Sequence, residues 1–109
     1  MKTYRVSLIV DAEQDVWEIY RYVASFHSPD RADRLLDELE QICSGLAEMP
    51  ERGHVPPELE VFEVWQYREI HWKAYRIIYA IEGEEVFVHC ILDGQRDVQE
   101  LLQQRLLRR

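Results

Sequence analysis

The chain has 109 residues, 47% of them hydrophobic and 31% charged, with a formal net charge of −8. This is the composition of a folded chain, not a disordered one, and the length suits one domain and not two. No apolar run nears the roughly 20 residues of a membrane span. Binding to nucleic acid over the whole surface is excluded too, because it needs clustered Lys and Arg.

The first residues, "MKTYRVSLIVDAEQDVWE", contain a short apolar run followed at once by acidic residues, with no small-residue cleavage site. That is not the pattern of a signal peptide, so a cytoplasmic protein is expected. "TYRVSLIV" alternates Tyr4, Val6, Leu8 and Val10 against Arg5, Ser7 and Ile9, which predicts a first strand. Asp11 is the expected cap of a helix over 11–25, with Glu13 and Asp15 in its first turn. Its apolar stripe is Val16, Ile19, Tyr20 and Val23, widened by Trp17. "HSPDR" interrupts the chain. Ser28 then caps a second helix over 29–46, with Pro29 at its first position. Its apolar face is Ala32, Leu35, Leu36, Leu39, Ile42, Cys43 and Leu46. So short a connection predicts an antiparallel helical hairpin.

Three prolines and a glycine argue against regular structure between Met49 and Pro57, and "PELEVFEV" allows one short turn. Three strands are then predicted: Tyr67 to Trp72, Tyr75 to Ile81 and Glu85 to Leu92, the last two joined at Gly83. "VQELLQQRLLRR" closes the chain as a short helix with Val98, Leu101, Leu102 and Leu106 on its apolar face and arginines in its last turn. The order strand, helix, helix, three strands, helix predicts one α+β domain over 1–109, with an antiparallel-rich sheet and the helical hairpin on one face.

Charge is uneven. Residues 1–50 carry 5 basic and 10 acidic side chains, whereas residues 66–81 carry Arg68, Lys73 and Arg76 against Glu69 alone, with His71 among them. An anionic ligand or acidic partner is expected to meet that later segment first. In the third strand Tyr75, Ile77, Tyr79 and Ile81 share one face, and Arg76 shares the other with Ile78 and Ala80. An arginine inside an apolar strand needs a carboxylate partner or a solvent-facing concavity. His89, alternating with Phe87 and Ile91, is expected at the core edge, and His27 and His54 fall in loops. Cys43 and Cys90 lack the spacing of a metal knuckle and are expected as buried thiols. No cofactor and no metal site are expected, and no phosphate-binding glycine loop is present.

Taken together, "YRIIY" at 75–79, the Gly-containing hairpin, "DGQRD" at 93–97 and the Leu/Arg-rich end resemble the C-terminal half of the RelE/ParE superfamily of toxin–antitoxin toxins. "DAEQDVWEIYRYVA" and "LAEMPERG" are similar to its N-terminal half. The resemblance implies a growth-inhibiting, plasmid-stabilising toxin held inactive in a hetero-oligomer with a cognate antitoxin. RelE-like members cleave mRNA on the ribosome without a metal, using basic residues and a tyrosine near the C-terminus; ParE-like members poison DNA gyrase. Arg76 and Arg96 match two RelE-like arginines, but Arg68 and His71 stand where lysines are usual. The tyrosine position falls near Leu102, and no tyrosine follows Tyr79.

The resemblance is therefore closer to ParE-like members, which act by binding gyrase. The alternatives are a metal-independent ribonuclease using Arg76, Arg96 and His71, and a binding module that has lost toxicity. Arg68, His71, Lys73, Arg76, Arg96, Trp17 and Trp72 are the candidate antitoxin- or target-binding residues. For each a plainer role stands beside this one: His71 as a half-exposed strand residue, Arg76 paired with a carboxylate, Arg96 anchoring its turn through Asp93 or Asp97, and the tryptophans as packing.

Overall fold

The computed structural model describes residues 3–107, so the terminal Arg108 and Arg109 lie outside the described residues. A short strand β1 (Arg5–Leu8) leads directly into helix α1 (Val10–Phe26). The start of α1 differs from expectation. Asp11 is not its cap; Ile9 holds that position in extended conformation, without a side-chain cap bond. The sheet sets this boundary, because the Ile9 N–H donates to Val88 O at 3.0 Å and the helix begins with the next residue. Asp11 instead lies in the first turn, where the helix dipole favours an acid.

Helix α2 (Pro29–Ser44) begins as the sequence indicates. Ser28 Oγ accepts the Arg31 N–H at 3.1 Å and Pro29 takes the first position. It ends two residues early, in the 3₁₀ turn Gly45–Ala47, which still buries Leu46 completely. The two helices fold back on one another, and Tyr20 Oη donates to Asp33 Oδ1 at 2.7 Å across them. The following segment is more regular than expected. It contains a 3₁₀ turn Pro50–Arg52 and a one-turn helix α3 (Pro57–Glu60), each with proline in its first turn, where a missing N–H costs nothing.

Strands β2 (Tyr67–Trp72), β3 (Tyr75–Glu82) and β4 (Glu85–Asp93) join β1 in a sheet ordered β1-β4-β3-β2. β1 runs parallel to β4, and the other pairs are antiparallel. The short turns need unusual backbone, with Lys73 at φ 55° and Gly83 at φ 64°. The chain closes with α4 (Val98–Leu102), capped by Asp97 Oδ1 on the Glu100 N–H, and continues as one π-turn, Gln103–Leu107.

The α1–α2 hairpin covers one sheet face. Its core contains Leu39, Cys43, Ile70, Ile77, Tyr79, Val86 and Val88. The other face is covered as well: Leu59, Ile78, Cys90, Leu92, Val98 and Leu102 form a second core beneath α3 and α4. Both cysteines are buried, which pushes the Cys43 thiol up to about 11 and Cys90 to about 12, well outside the range of reactive thiolates.

A β-bulge in β4 corrects the expected alternation. Ile78 pairs with Cys90 but Tyr79 pairs with Val88, so His89 is the extra residue. Val86 and Val88 face the hairpin, and beyond the bulge Ile91 does so too, while Cys90 and Leu92 face the second core. His89 and Ile91 therefore do not share a face as simple alternation suggested. The backbone freed at the bulge is bonded by side chains. Asp15 Oδ2 accepts the Ile91 N–H at 3.0 Å, and Arg105 donates to His89 O at 2.9 Å while forking onto Asp15 at 3.1 and 2.9 Å. Arg105 thus locks the chain end to α1 and does not simply answer a helix dipole.

The His89 ring packs edge-on against Tyr67, with centroids 5.2 Å apart. Its Nε2 is buried without a hydrogen-bond partner among the described residues. Burial above all holds its pKa below the usual value, Glu82 opposing and Arg105 adding to the effect. The unfolded chain then takes up this proton first, so stability is full above the unfolded pKa of about 6.5 and declines as pH falls below it. The thermal midpoint, compared at pH 8 and pH 5.5, is expected to drop further in the parent protein than in His89→Phe. Equal drops would show that His89 makes no contribution.

Candidate functional site

Pairing in register decides which side chains meet. β2 and β3 place Tyr67 opposite Ala80, Glu69 opposite Ile78, and His71 opposite Arg76. Tyr67, Glu69, His71, Arg76 and Ile78 therefore lie on the face away from the α1–α2 hairpin. Glu69 is only 1% exposed, so its charge requires partners. Arg76 supplies them through Nε to Oε1 at 2.6 Å and Nη2 to Oε2 at 2.9 Å. The same guanidinium reaches Glu58 of α3 with Nη1 at 2.6 Å and Nη2 at 2.7 Å. These bonds hold the Glu58 carboxyl below its usual range and raise the Arg76 pKa further. The expected carboxylate partner of Arg76 is thus present twice.

Two imidazoles meet the same buried carboxylate. His54 Nε2 lies 3.0 Å from Glu69 Oε2, and His71 Nε2 lies 3.3 Å from Oε1. The rings are tilted against each other with centroids 5.6 Å apart, and both side chains are about 60% exposed. Backbone fixes His54 here, because it forms an isolated bridge with Glu69, donating at 3.1 Å and accepting at 2.7 Å. The neighbouring residue has to be glycine. A Cβ on Gly53 would lie 2.5 Å from Tyr79 Oη and 2.6 Å from Glu69 O. Tyr79 Oη donates to Pro50 O at 2.6 Å and accepts the Gly53 N–H at 3.2 Å, tying the loop to the sheet.

The structure brings Arg76 and His71 together and separates them from the other candidates. Arg68 pairs with Tyr79 on the opposite face and donates to Gly53 O at 2.8 Å and Glu51 O at 3.3 Å. Lys73 pairs with Glu38 of α2 at 2.9 Å and lies 5.0 Å over the Trp72 ring, which stacks on Tyr75. Arg96 is exposed, and its turn is held by Asp93 through Oδ1 to the Gln95 N–H at 2.9 Å and its carbonyl to the Arg96 N–H at 3.2 Å. These residues do not form the single basic and aromatic surface that sequence clustering suggests. The period of two distributes them over both sheet faces and the turns. Glu58, Glu69 and His54 were not among the candidates. Glu69 and His71, two apart in one strand, signalled a shared face, but the approach of His54 depends on the loop.

Trp17 lies elsewhere, 59% exposed, beside a groove of about 850 Å³ between α1, α2 and edge strand β1. Val6, Leu8, Val16, Leu36 and Leu39 form its apolar lining, with Glu13, Asp33 and Glu40 among its polar groups. A concavity of this size, apolar with a few polar groups, has the character of a binding site for a small ligand or for an apolar segment of another chain. No helix among the described residues is long and apolar enough to cross a membrane.

Comparison with known proteins is consistent with this architecture. The family model described as "ParE toxin of type II toxin-antitoxin system, parDE" matches residues 6–98. A chain of the chromosomal ParDE TA system from P. aeruginosa superposes with a TM-score of 0.67, at 17% identity over 82% of this chain and 94% of that one. A chain of the toxin–antitoxin complex RelBE2 from Mycobacterium tuberculosis gives 0.62, at 19% identity over 85% and 93%. No curated protein matches.

Removing Arg76 leaves Glu69 buried and unpaired on its guanidinium side. Arg76→Ala is expected to lower the unfolding free energy by about 3–5 kcal/mol in urea titrations. Adding Glu69→Gln should recover part of that loss, since the buried charge is then gone. A double variant no more stable than Arg76→Ala would show that the cost lies elsewhere.

Proposed function

Because the chain belongs to the ParE toxin family of type II toxin–antitoxin systems, we propose that it is a toxin that acts by binding DNA gyrase and is silenced by an antitoxin seated in the apolar groove. The observation that carries this reading is the state of Arg76. A ribonuclease of the RelE-like kind needs a cation to stabilise charge developing on phosphate. All three guanidinium nitrogens of Arg76 are engaged by Glu58 and Glu69, and the side chain is 12% exposed. Arg96 is exposed, with no side-chain partner among the described residues, and Leu102 is buried in the second core where a catalytic tyrosine would be required. A set so incomplete supports action by protein binding, not RNA cleavage.

The partner reading rests on the groove. Its apolar floor and acidic side chains match a partner segment with an apolar face and basic flanks. That differs from the acidic tail suggested by the basic residues of β2 and β3, most of which are already engaged within the chain. A toxin–antitoxin hetero-oligomer in the cytoplasm is the corresponding assembly; the similar structures belong to a ParDE TA system and to a RelBE2 toxin–antitoxin complex.

Induction of the chain alone in bacteria tests the target. Accumulation of gyrase–DNA cleavage complexes and a DNA-damage response, without codon-positioned mRNA cuts by primer extension, is expected. Strong codon-positioned cuts would install the ribonuclease reading, and normal growth would install a binding module without toxicity. The groove has its own test. Trp17→Ala is expected to weaken calorimetric binding of the antitoxin encoded beside the chain by roughly 30-fold, as for an interface hot spot of about 2 kcal/mol. Unchanged affinity would place the antitoxin on another surface.

A further inference from the structure

We propose that His54, Glu69 and His71 form a binding site for a divalent transition-metal ion of the zinc class. The three ligand atoms lie within 4.8 Å of one another. His54 Nε2 lies 3.0 Å from Glu69 Oε2 and His71 Nε2 lies 3.3 Å from Oε1, so the imidazoles flank the carboxylate at separations near the ligand–ligand edge of a tetrahedral zinc site, about 3.3 Å for bonds of 2.0–2.1 Å, and a small rotation of the carboxylate offers one oxygen to an ion held by both. Two nitrogens and one oxygen are a donor set that such borderline ions favour, and three protein ligands leave an open position.

The site is built before any ion arrives. Glu69 and His71 are fixed by strand register, and His54 by its two backbone bonds to Glu69. A carboxylate offers about four lone-pair positions. Arg76 takes one on each oxygen, which leaves one on each facing the imidazoles. Arg76 thus orients the carboxylate by holding both of its oxygens from the side away from the imidazoles, without closing it. Its charge is outweighed by Glu58 and Glu69 together, so the cluster carries one net negative charge to meet a cation. Exposure of both imidazoles gives the ion a path in, and the open position faces solvent, where water or a partner's side chain completes the coordination. Bound there, the ion would pin the 49–57 segment to β2.

The test is calorimetric titration of the full chain with zinc chloride alone, after treatment with chelator. One ion per chain and a higher thermal midpoint on addition of zinc are expected. His54→Ala and His71→Ala, both altering exposed side chains, should each weaken binding by about 10-fold or more and abolish the rise in midpoint. Cobalt(II) should give the intense visible bands of tetrahedral coordination in the parent protein and not in either variant. Absence of saturable binding, or binding unchanged in both variants, would overturn the proposal. Neither result depends on gyrase or on the antitoxin, so this site and the toxin reading succeed or fail separately.

Discussion

A buried carboxylate organises one whole face of this sheet. Glu69 has almost no contact with solvent, and an unanswered charge there would cost several kcal/mol. Arg76 answers it from the neighbouring strand and reaches on to Glu58, so that one guanidinium joins β2, β3 and α3. His54 and His71 then converge on the remaining lone pairs, and the bridge to His54 brings the preceding loop down onto the sheet edge. Gly53 permits that approach, since any side chain would meet Tyr79 and the Glu69 backbone.

Internal contacts on both faces also engage the two arginines of β2 and β3. A guanidinium stabilises a developing charge only when its donors are free to turn toward it. Here four of the five N–H donors of Arg76 bond Glu58 and Glu69, and Arg68 Nη1 bonds two loop carbonyls. What the structure leaves accessible is different in kind: an apolar groove beside β1 and a pair of exposed imidazoles on a buried acid. The first is the proposed seat of the antitoxin and the second the proposed metal site. They lie on opposite faces of the sheet, because Trp17, Leu36 and Leu39 belong to the hairpin side.

The bulge at His89 is the second organising feature. It exchanges the faces of β4, so that Ile91 serves the hairpin core while Cys90 and Leu92 serve the core beneath α3 and α4. It also frees the backbone that Asp15 and Arg105 bond, linking residues 90 apart in sequence. Bulges increase local twist and re-aim side chains. In this chain the re-aiming changes which residues of β4 meet each core, and the polar link ties Arg105 to α1.

Much of this was legible in the sequence, for reasons that are local. Apolar spacing marked the helical hairpin and the three later strands, Ser28 and Pro29 marked the start of α2, and the order of elements marked the α+β class. The quoted motifs pointed to the family that the 6–98 match identifies. An arginine inside "YRIIY" called for a carboxylate partner or a solvent-facing concavity, and the structure supplies the partner. The sequence did not say which carboxylates would answer, since Glu58 arrives through α3 and Glu69 through strand register. Nor could it show that Arg68 and Arg76 face opposite ways, that His54 joins His71, or that His89 is an extra residue in its strand. Each of those depends on how strands pair and where a loop lands. Such non-local contacts are settled by packing the whole chain, and no window of sequence contains them.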